Sequence, residues 1–373
     1  MSEPIYSPGL EGIIAGETAV STLAEGLHYR GYSIEELAAQ ATFEEVAYLI
    51  LHGELPKLEE LAVFRKRLNA AAAAVPKEMF SALKSIPAQA GMMDVMRTGA
   101  SLLAHWDPET KDNSHDANVR KAERLTAQLP VVLAARQRFL AGKEPVAPAP
   151  ERSLAGNLLY MLTRQEPSEK WTKALDLSLI LYAEHEFNAS TFAARVVVST
   201  LSDLHSAIVA GIGTLKGPLH GGANERVLEV LQAVGTPDKA EAWVRDALAK
   251  KVRIMGFGHR VYREGDPRAA FIKPLVAALA AETGHTDMEQ VAETIESIVR
   301  AEKKLPPNVD WPTARLYHYL NLPVELYTPL FVVSRVTGWS AHAIEQLDNN
   351  RLIRPLSRYT GAASRAWTPI EKR

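Results

Sequence analysis

The chain has 373 residues, 47% of them hydrophobic and 23% charged, the balance of an ordinary globular protein with ample apolar surface for a core. Its formal charge of −2 excludes a general polyanion coat, so no nucleic-acid partner is expected, while its 42 Lys and Arg can still be concentrated locally. Cys is absent, which excludes disulfides, thiolate metal sites and a cysteine nucleophile together.

The N-terminus, MSEPIYSPGLEG, has neither a basic start with an apolar run nor an Arg- and Ser-rich amphipathic stretch, so a cytoplasmic protein without a leader is expected. Short β-branched runs separated by Gly in GIIAGETAVSTLAEGLHYRGY predict a few short strands. The helical period then takes over. Ser33 with Glu36 and Thr42 with Glu45 have capping-box spacing, and FEEVAYLILHG should stop at Gly53. Helices are predicted over Leu58–Val75, Met92–Trp106 and Val119–Ala141, the last kinked or divided by Pro130.

KEPVAPAPER is Pro-rich and reads as an exposed loop. Helices resume over Ser153–Thr163, Lys170–Phe187 and Ser190–Ile212. The apolar stretch 192–212 is interrupted by Arg195, Asp203 and His205, so it reads as a buried helix and no membrane span is expected. Four helical patterns follow from Ala223 to Lys304, then LPPNVDWP, then helices around Leu330–Arg335 and Ala341–Asp348 and a basic tail. The fold class is mainly α.

Three breaks between helices carry ionisable groups, and such ends expose backbone to ligands. In GPLHGGANE, His220 precedes two glycines and a new helix, whose N-terminus favours a neutral imidazole able to donate to a carbonyl oxygen gaining charge. The bland alternative is a helix-capping histidine. In GFGHRVYREGDPR, His259 is followed by Arg260, Arg263 and Arg268, which reads either as a pocket for carboxylate or phosphate or as a solvated charged loop. Asp310, in the apolar setting PPNVDWP, is either a desolvated base or an N-cap for a helix starting near Thr313. AEHEFN around His185 lacks the histidine pair of a zinc helix, so no metal is expected, and His205 reads as a satisfied core residue.

These three breaks in this order resemble the citrate synthase family. GFGHRVYREGDPR is similar to the family signature, and the resemblance extends through YRGYSIEELAAQATFEEVAYLILHGELP near the start and SRVTGWSAHAIEQ, NRLIRPLSRYTG and RAWTPIEKR near the end. It implies a large helical domain formed by residues 1–220 and 321–373 and a smaller, mobile helical domain over 221–320.

The resemblance also implies roles. Asp310 would take a methyl proton from acetyl-coenzyme A, His220 would stabilise the enol, and His259 would polarise the oxaloacetate ketone. His185, Arg268 and Arg335 would hold oxaloacetate, joined by Arg354 acting across a homodimer interface, and Arg263 would meet coenzyme A phosphate. The implied reaction needs no cofactor, because acetyl-CoA is a substrate. One departure concerns the acyl pocket: NVDWPTA has Pro312 where the family often has a second aromatic, which leaves 2-methylcitrate synthesis from propionyl-CoA open.

Overall fold

The computed structural model describes residues 6–259, 262 and 265–373. A small antiparallel sheet comes first, β1 (Ser21–Thr22), β2 (His28–Tyr29) and β3 (Tyr32–Ser33), in the order β1-β2-β3. The helices of the first half are α1 (Ile34–Gln40), α2 (Phe43–His52), α3 (Leu58–Ala73), α4 (Lys77–Ser85), α5 (Met92–Leu103), α6 (His115–Leu140), α7 (Leu154–Thr163), α8 (Glu169–Tyr182), α9 (Ala189–Ser199) and α10 (Leu204–Leu215). Then come α11 (Ala223–Val234), α12 (Pro237–Ala249), α13 (Pro267–Thr283), α14 (Thr286–Lys303), α15 (Asp310–Tyr319) and α16 (Tyr327–Asp348). The fold is mainly helical, with 63% helix and 2% strand, as the sequence predicts.

Local signals explain most boundaries. Thr42 and Glu45 form the full reciprocal capping box, and α2 ends at Gly53 in the left-handed region (φ +94°). Four expectations need correction. The stretch 190–212 is two helices: Leu201 takes a left-handed φ of +66°, and Asp203 caps α10 by accepting the Ser206 N–H at 2.9 Å. The two C-terminal patterns are a single helix, α16, whose buried residues continue from Tyr327 to Gln346. Helix α6 starts at His115 and is not divided at Pro130, which lies inside it with buried residues on both sides. Helix α4 was not anticipated; its apolar anchors are Met79 and Leu83.

The core is organised around α16, which packs on α2, α5, α6, α8, α9 and α10. Helices α11 to α15 pack largely on one another and meet the rest chiefly through α1, α8 and α16. Helix α8 therefore meets α13 and α15 while α16 meets α11, and the ionisable groups gather around the C-terminal end of α8.

Candidate active site

The breaks around His259 and Asp310 form one structure. Gly258 N–H donates to the Pro306 carbonyl (2.9 Å), Asn308 N–H to the Gly256 carbonyl (2.9 Å), and Asn308 Nδ2 to the Gly258 carbonyl (3.0 Å). Gly256 is required here: its φ is +88°, and a Cβ would stand 2.8 Å from Val227 and 2.9 Å from the Trp311 ring. The pairing delivers Asp310 to the first turn of α15, with its N–H bonded to Asn308 Oδ1 at 3.1 Å. Asp310 is thus inside the helix and Val309 is the residue before it, so the N-cap alternative is not what forms.

The last carbonyls of α8 lack intrahelical partners, and they hold arginines instead. Arg335 Nε donates to the Tyr182 carbonyl (2.7 Å), and Arg268 Nη1 to the Leu181 carbonyl (3.3 Å). The Tyr182 hydroxyl donates to Asp310 Oδ1 at 2.6 Å. Arg268 is also forked onto Asp266 (2.9 and 2.8 Å). Burial works against its charge, but Asp266 more than offsets this, and the pKa of Arg268 is raised. Arg335, stacked 4.6 Å above Phe331, is pushed down to about 10 by burial.

Histidines line the same space. The His185 and His259 rings lie 5.1 Å apart, with Tyr262 edge-on to His185 at 5.6 Å and 4.6 Å from His259. Burial, then Arg268 and Arg335, holds the pKa of His185 well below its ordinary value; burial and then Arg268 lower that of His259. Both are neutral near neutral pH. His185 Nε2 is buried without a hydrogen-bond partner among the described residues, an orphan that suits a polar ligand. Burial also raises the pKa of Asp310, against the hydrogen bond from Tyr182 and the charges of Arg268 and Arg335.

His220 sits in a tight turn, where Gly221 N–H bonds the Gly217 carbonyl (3.0 Å) and a Cβ on Gly221 would fall 2.1 Å from the Leu215 carbonyl oxygen. Its Nε2 is 2.8 Å from Ser190 Oγ, which also accepts the Trp339 indole N–H at 3.0 Å. Burial, with Arg335 adding to it, lowers the pKa of His220 to about 4, so the ring is neutral. Arg335 and Trp339 are four residues apart on α16 and so share a face.

Beneath the site, Glu184 is fully buried beside His342 (3.0 Å), whose other nitrogen faces Arg195 at 3.1 Å. Ser21 Oγ donates to Glu184 (3.1 Å) and accepts the Glu186 N–H (3.0 Å), which fixes the segment carrying His185. These contacts close the geometry: the Arg268 and Arg335 guanidinium groups, three neutral histidines and the Asp310 carboxylate at the junction of α8, α9, α13, α15 and α16.

The model of the citrate synthase C-terminal domain matches residues 9–356. The chain belongs to the citrate synthase family. It is 47% identical to citrate synthase 2 of Bacillus subtilis, across 98% of each chain. It is 45% identical to 2-methylcitrate synthase of Shewanella oneidensis, covering 100% of this chain and 99% of the other. Among solved structures, that of Thermoplasma acidophilum citrate synthase in ternary complex with carboxymethyl coenzyme A and oxaloacetate has a TM-score of 0.93 at 32% identity, over 99% of this chain and 100% of that one. The protein is accordingly an enzyme of acyl transfer.

Of the residues anticipated for this citrate synthase-family site, His185, His220, His259, Arg268, Arg335 and Asp310 converge. Arg354 does not: it is exposed, and the neighbouring Ile353 N–H is tied to Ser199 Oγ (3.1 Å), at the end of α9 remote from the site. Arg263 lies outside the described residues. No group of three or more metal-binding side chains occurs among the described residues, nor does a helix long and apolar enough to cross a membrane. His205 is buried as expected, but neither ring nitrogen has a hydrogen-bond partner among the described residues, and Asp107 is 3.6 Å away. Sequence reasoning missed Tyr182 and Ser190, although Ser190 stands in the polar N-terminal turn of α9, where a side-chain network could have been sought.

Proposed function

We propose that the protein condenses acetyl-CoA with oxaloacetate and water to give citrate and CoA. The observation that carries this reading is the half-buried Asp310 carboxylate, held by the Tyr182 hydroxyl near the Arg268 and Arg335 guanidinium groups, in a site that neutral histidines also line. A thioester α-proton is too weakly acidic for a carboxylate to remove unaided, so the enol oxygen must be stabilised at the same time. Asp310 takes the methyl proton, and His220 donates a hydrogen bond to the thioester oxygen. A positioned base is worth about 10²–10⁴-fold and an oriented donor a comparable amount.

Ser190 has a single hydroxyl proton and two acceptors within reach, Asn188 Oδ1 at 2.7 Å and His220 Nε2 at 2.8 Å. When Ser190 donates to Nε2, the neutral His220 carries its proton on Nδ1, which becomes the donor to the thioester oxygen. The enol carbon then attacks the ketone of oxaloacetate, and His259 gives a proton to the oxygen that becomes the hydroxyl. Water finally adds to the thioester carbonyl, and CoA leaves as its thiol. His185 Nε2, Arg268 and Arg335 hold the dicarboxylate. No step calls for a cofactor.

The reaction needs shielding from water, and we assign the closure to residues 221–320 moving as a smaller domain against 1–220 and 321–373. Arg263 would meet the CoA phosphates. Arg354 of the partner subunit would complete the oxaloacetate site in a homodimer. What supports the dimer is the exposed extended tail, whose Leu356, Tyr359 and Trp367 are each at least three-quarters exposed in the single chain. The cytoplasm is the expected setting.

Propionyl-CoA is the second reading, favoured by Pro312 beside the base and by the Shewanella oneidensis relative. Near the base, Tyr182 and Trp311 are buried and Phe257 lies 4.6 Å from Trp311, which leaves large rings rather than open space there. That supports the smaller acyl group. The ratio of kcat/KM for acetyl-CoA over propionyl-CoA decides it: about 10-fold or more is expected, because one methylene is worth about 1–3 kcal/mol. A ratio below one makes 2-methylcitrate the product.

A further inference from the structure

We infer that Tyr182 is the positioning residue for the Asp310 base, holding one carboxylate oxygen so that the other is presented to the substrate, and that it ties the base to Arg335. The inference rests on the reading of Asp310 as the base.

Three contacts of Tyr182 carry it. Its hydroxyl donates to Asp310 Oδ1 at 2.6 Å, its carbonyl accepts from Arg335 Nε at 2.7 Å, and its ring packs 4.5 Å from Phe331, on which Arg335 stacks. Tyr182 is therefore a shared support for the base on α15 and a substrate-binding guanidinium on α16. A second hydroxyl bond one turn back on α8 fixes the register of the two helices: Tyr317 on α15 donates to Ser178 Oγ at 3.3 Å. Asp310 Oδ1 is thereby occupied, and the partly open face of the residue leaves Oδ2 for the proton to be taken.

The groups facing Asp310 are Tyr182 from α8, Asp266 and Arg268 at the start of α13, Tyr317 from α15 and Arg335 from α16. Tyr182 keeps its proton throughout the working range, since burial, and then Asp310, raises its pKa well above the ordinary value. Its hydrogen bond favours the ionised carboxylate against the burial that opposes it. Loss of the hydroxyl should therefore do two things: free the carboxylate to rotate, and make it harder to ionise.

Tyr182→Phe keeps the ring and the carbonyl and removes the hydroxyl. Its kcat should fall about tenfold or more, the ordinary worth of a hydrogen bond to a charged group, while KM for oxaloacetate stays within about twofold. The acid limb of its kcat–pH profile should move to higher pH. A fluorotyrosine at position 182, a stronger donor of nearly the same shape, should move that limb the other way and keeps the test open if Tyr182→Phe folds poorly. An unchanged kcat and acid limb, or a rise in oxaloacetate KM with unchanged kcat, would overturn the inference. Absence of turnover by the unsubstituted enzyme with any short acyl thioester would instead sink the reading of Asp310 as the base.

Discussion

His220 Nε2 stands 2.8 Å from the hydroxyl of Ser190, and that hydroxyl also accepts the Trp339 indole N–H at 3.0 Å. Ser190 donates to Asn188 Oδ1 at 2.7 Å, and turning that proton toward His220 Nε2 would place the imidazole proton on Nδ1. Ser190→Ala removes the hydroxyl and leaves a buried indole N–H unpaired. The expected outcome is a fall in kcat of about tenfold or more with little change in oxaloacetate KM. The unpaired indole should also cost about 1–3 kcal/mol of stability, read by denaturant unfolding. A variant with full activity would show that Ser190 does not set the tautomer.

Arg354 gives a test of assembly that does not depend on crystals. If it serves the site of the other subunit, Arg354→Ala and Asp310→Asn should complement when their subunits are mixed by denaturation and refolding. A mixed dimer has one site with Asp310 intact and Arg354 of the partner subunit intact. Statistical mixing should therefore restore about a quarter of the wild-type sites. No recovery, in mixed dimers shown by light scattering to form, would place Arg354 outside the neighbouring site.

Much of this was legible in the sequence, for a physical reason. His220, His259 and Asp310 stand where Gly and Pro interrupt helical periodicity, so they show as polar groups in conspicuous backbone. Tyr182 ends the apolar helix α8, where a Tyr reads as core and only tertiary packing reveals its hydroxyl contact, and Arg335 inside α16 is reached through the family resemblance rather than its local sequence. Apolar continuity likewise hid the break at Leu201, although Asp203 with Ser206 is a helix-start signal. Pro130 suggests a division that does not occur, because burial on both sides outweighs the hydrogen bond that it removes.

The buried histidines predict how stability varies with pH. His205 and His220 are held at about 4, each chiefly by burial, and His185 and His259 are lowered as well. In the unfolded chain such groups titrate near about 6.5, so below that pH the unfolded state takes up protons that the folded state refuses. Their contribution is lost as the pH falls from there toward 4. Asp176 acts oppositely: burial, then the charge of Glu44, raises it from 3.8 to about 8, and its contribution is lost as the pH rises across that interval. Four histidines outweigh it on the acid side, and it acts against stability on the alkaline side. Calorimetry should find a maximum melting temperature near about pH 6.5, and Asp176→Asn should flatten the alkaline decline. A melting temperature that rises steadily from pH 6.5 to 8 in the unsubstituted protein would contradict the assignment.

The central claim, that Asp310 is the base of an oxaloacetate-dependent condensation, is tested most directly by thiol release from acetyl-CoA. The unsubstituted enzyme should release CoA when oxaloacetate is present and not otherwise. Asp310→Asn should be slower by about 10²–10⁴-fold while binding oxaloacetate with nearly unchanged affinity. Equal rates for the two proteins, or no oxaloacetate-dependent release by the unsubstituted enzyme from acetyl-CoA or propionyl-CoA, would contradict it.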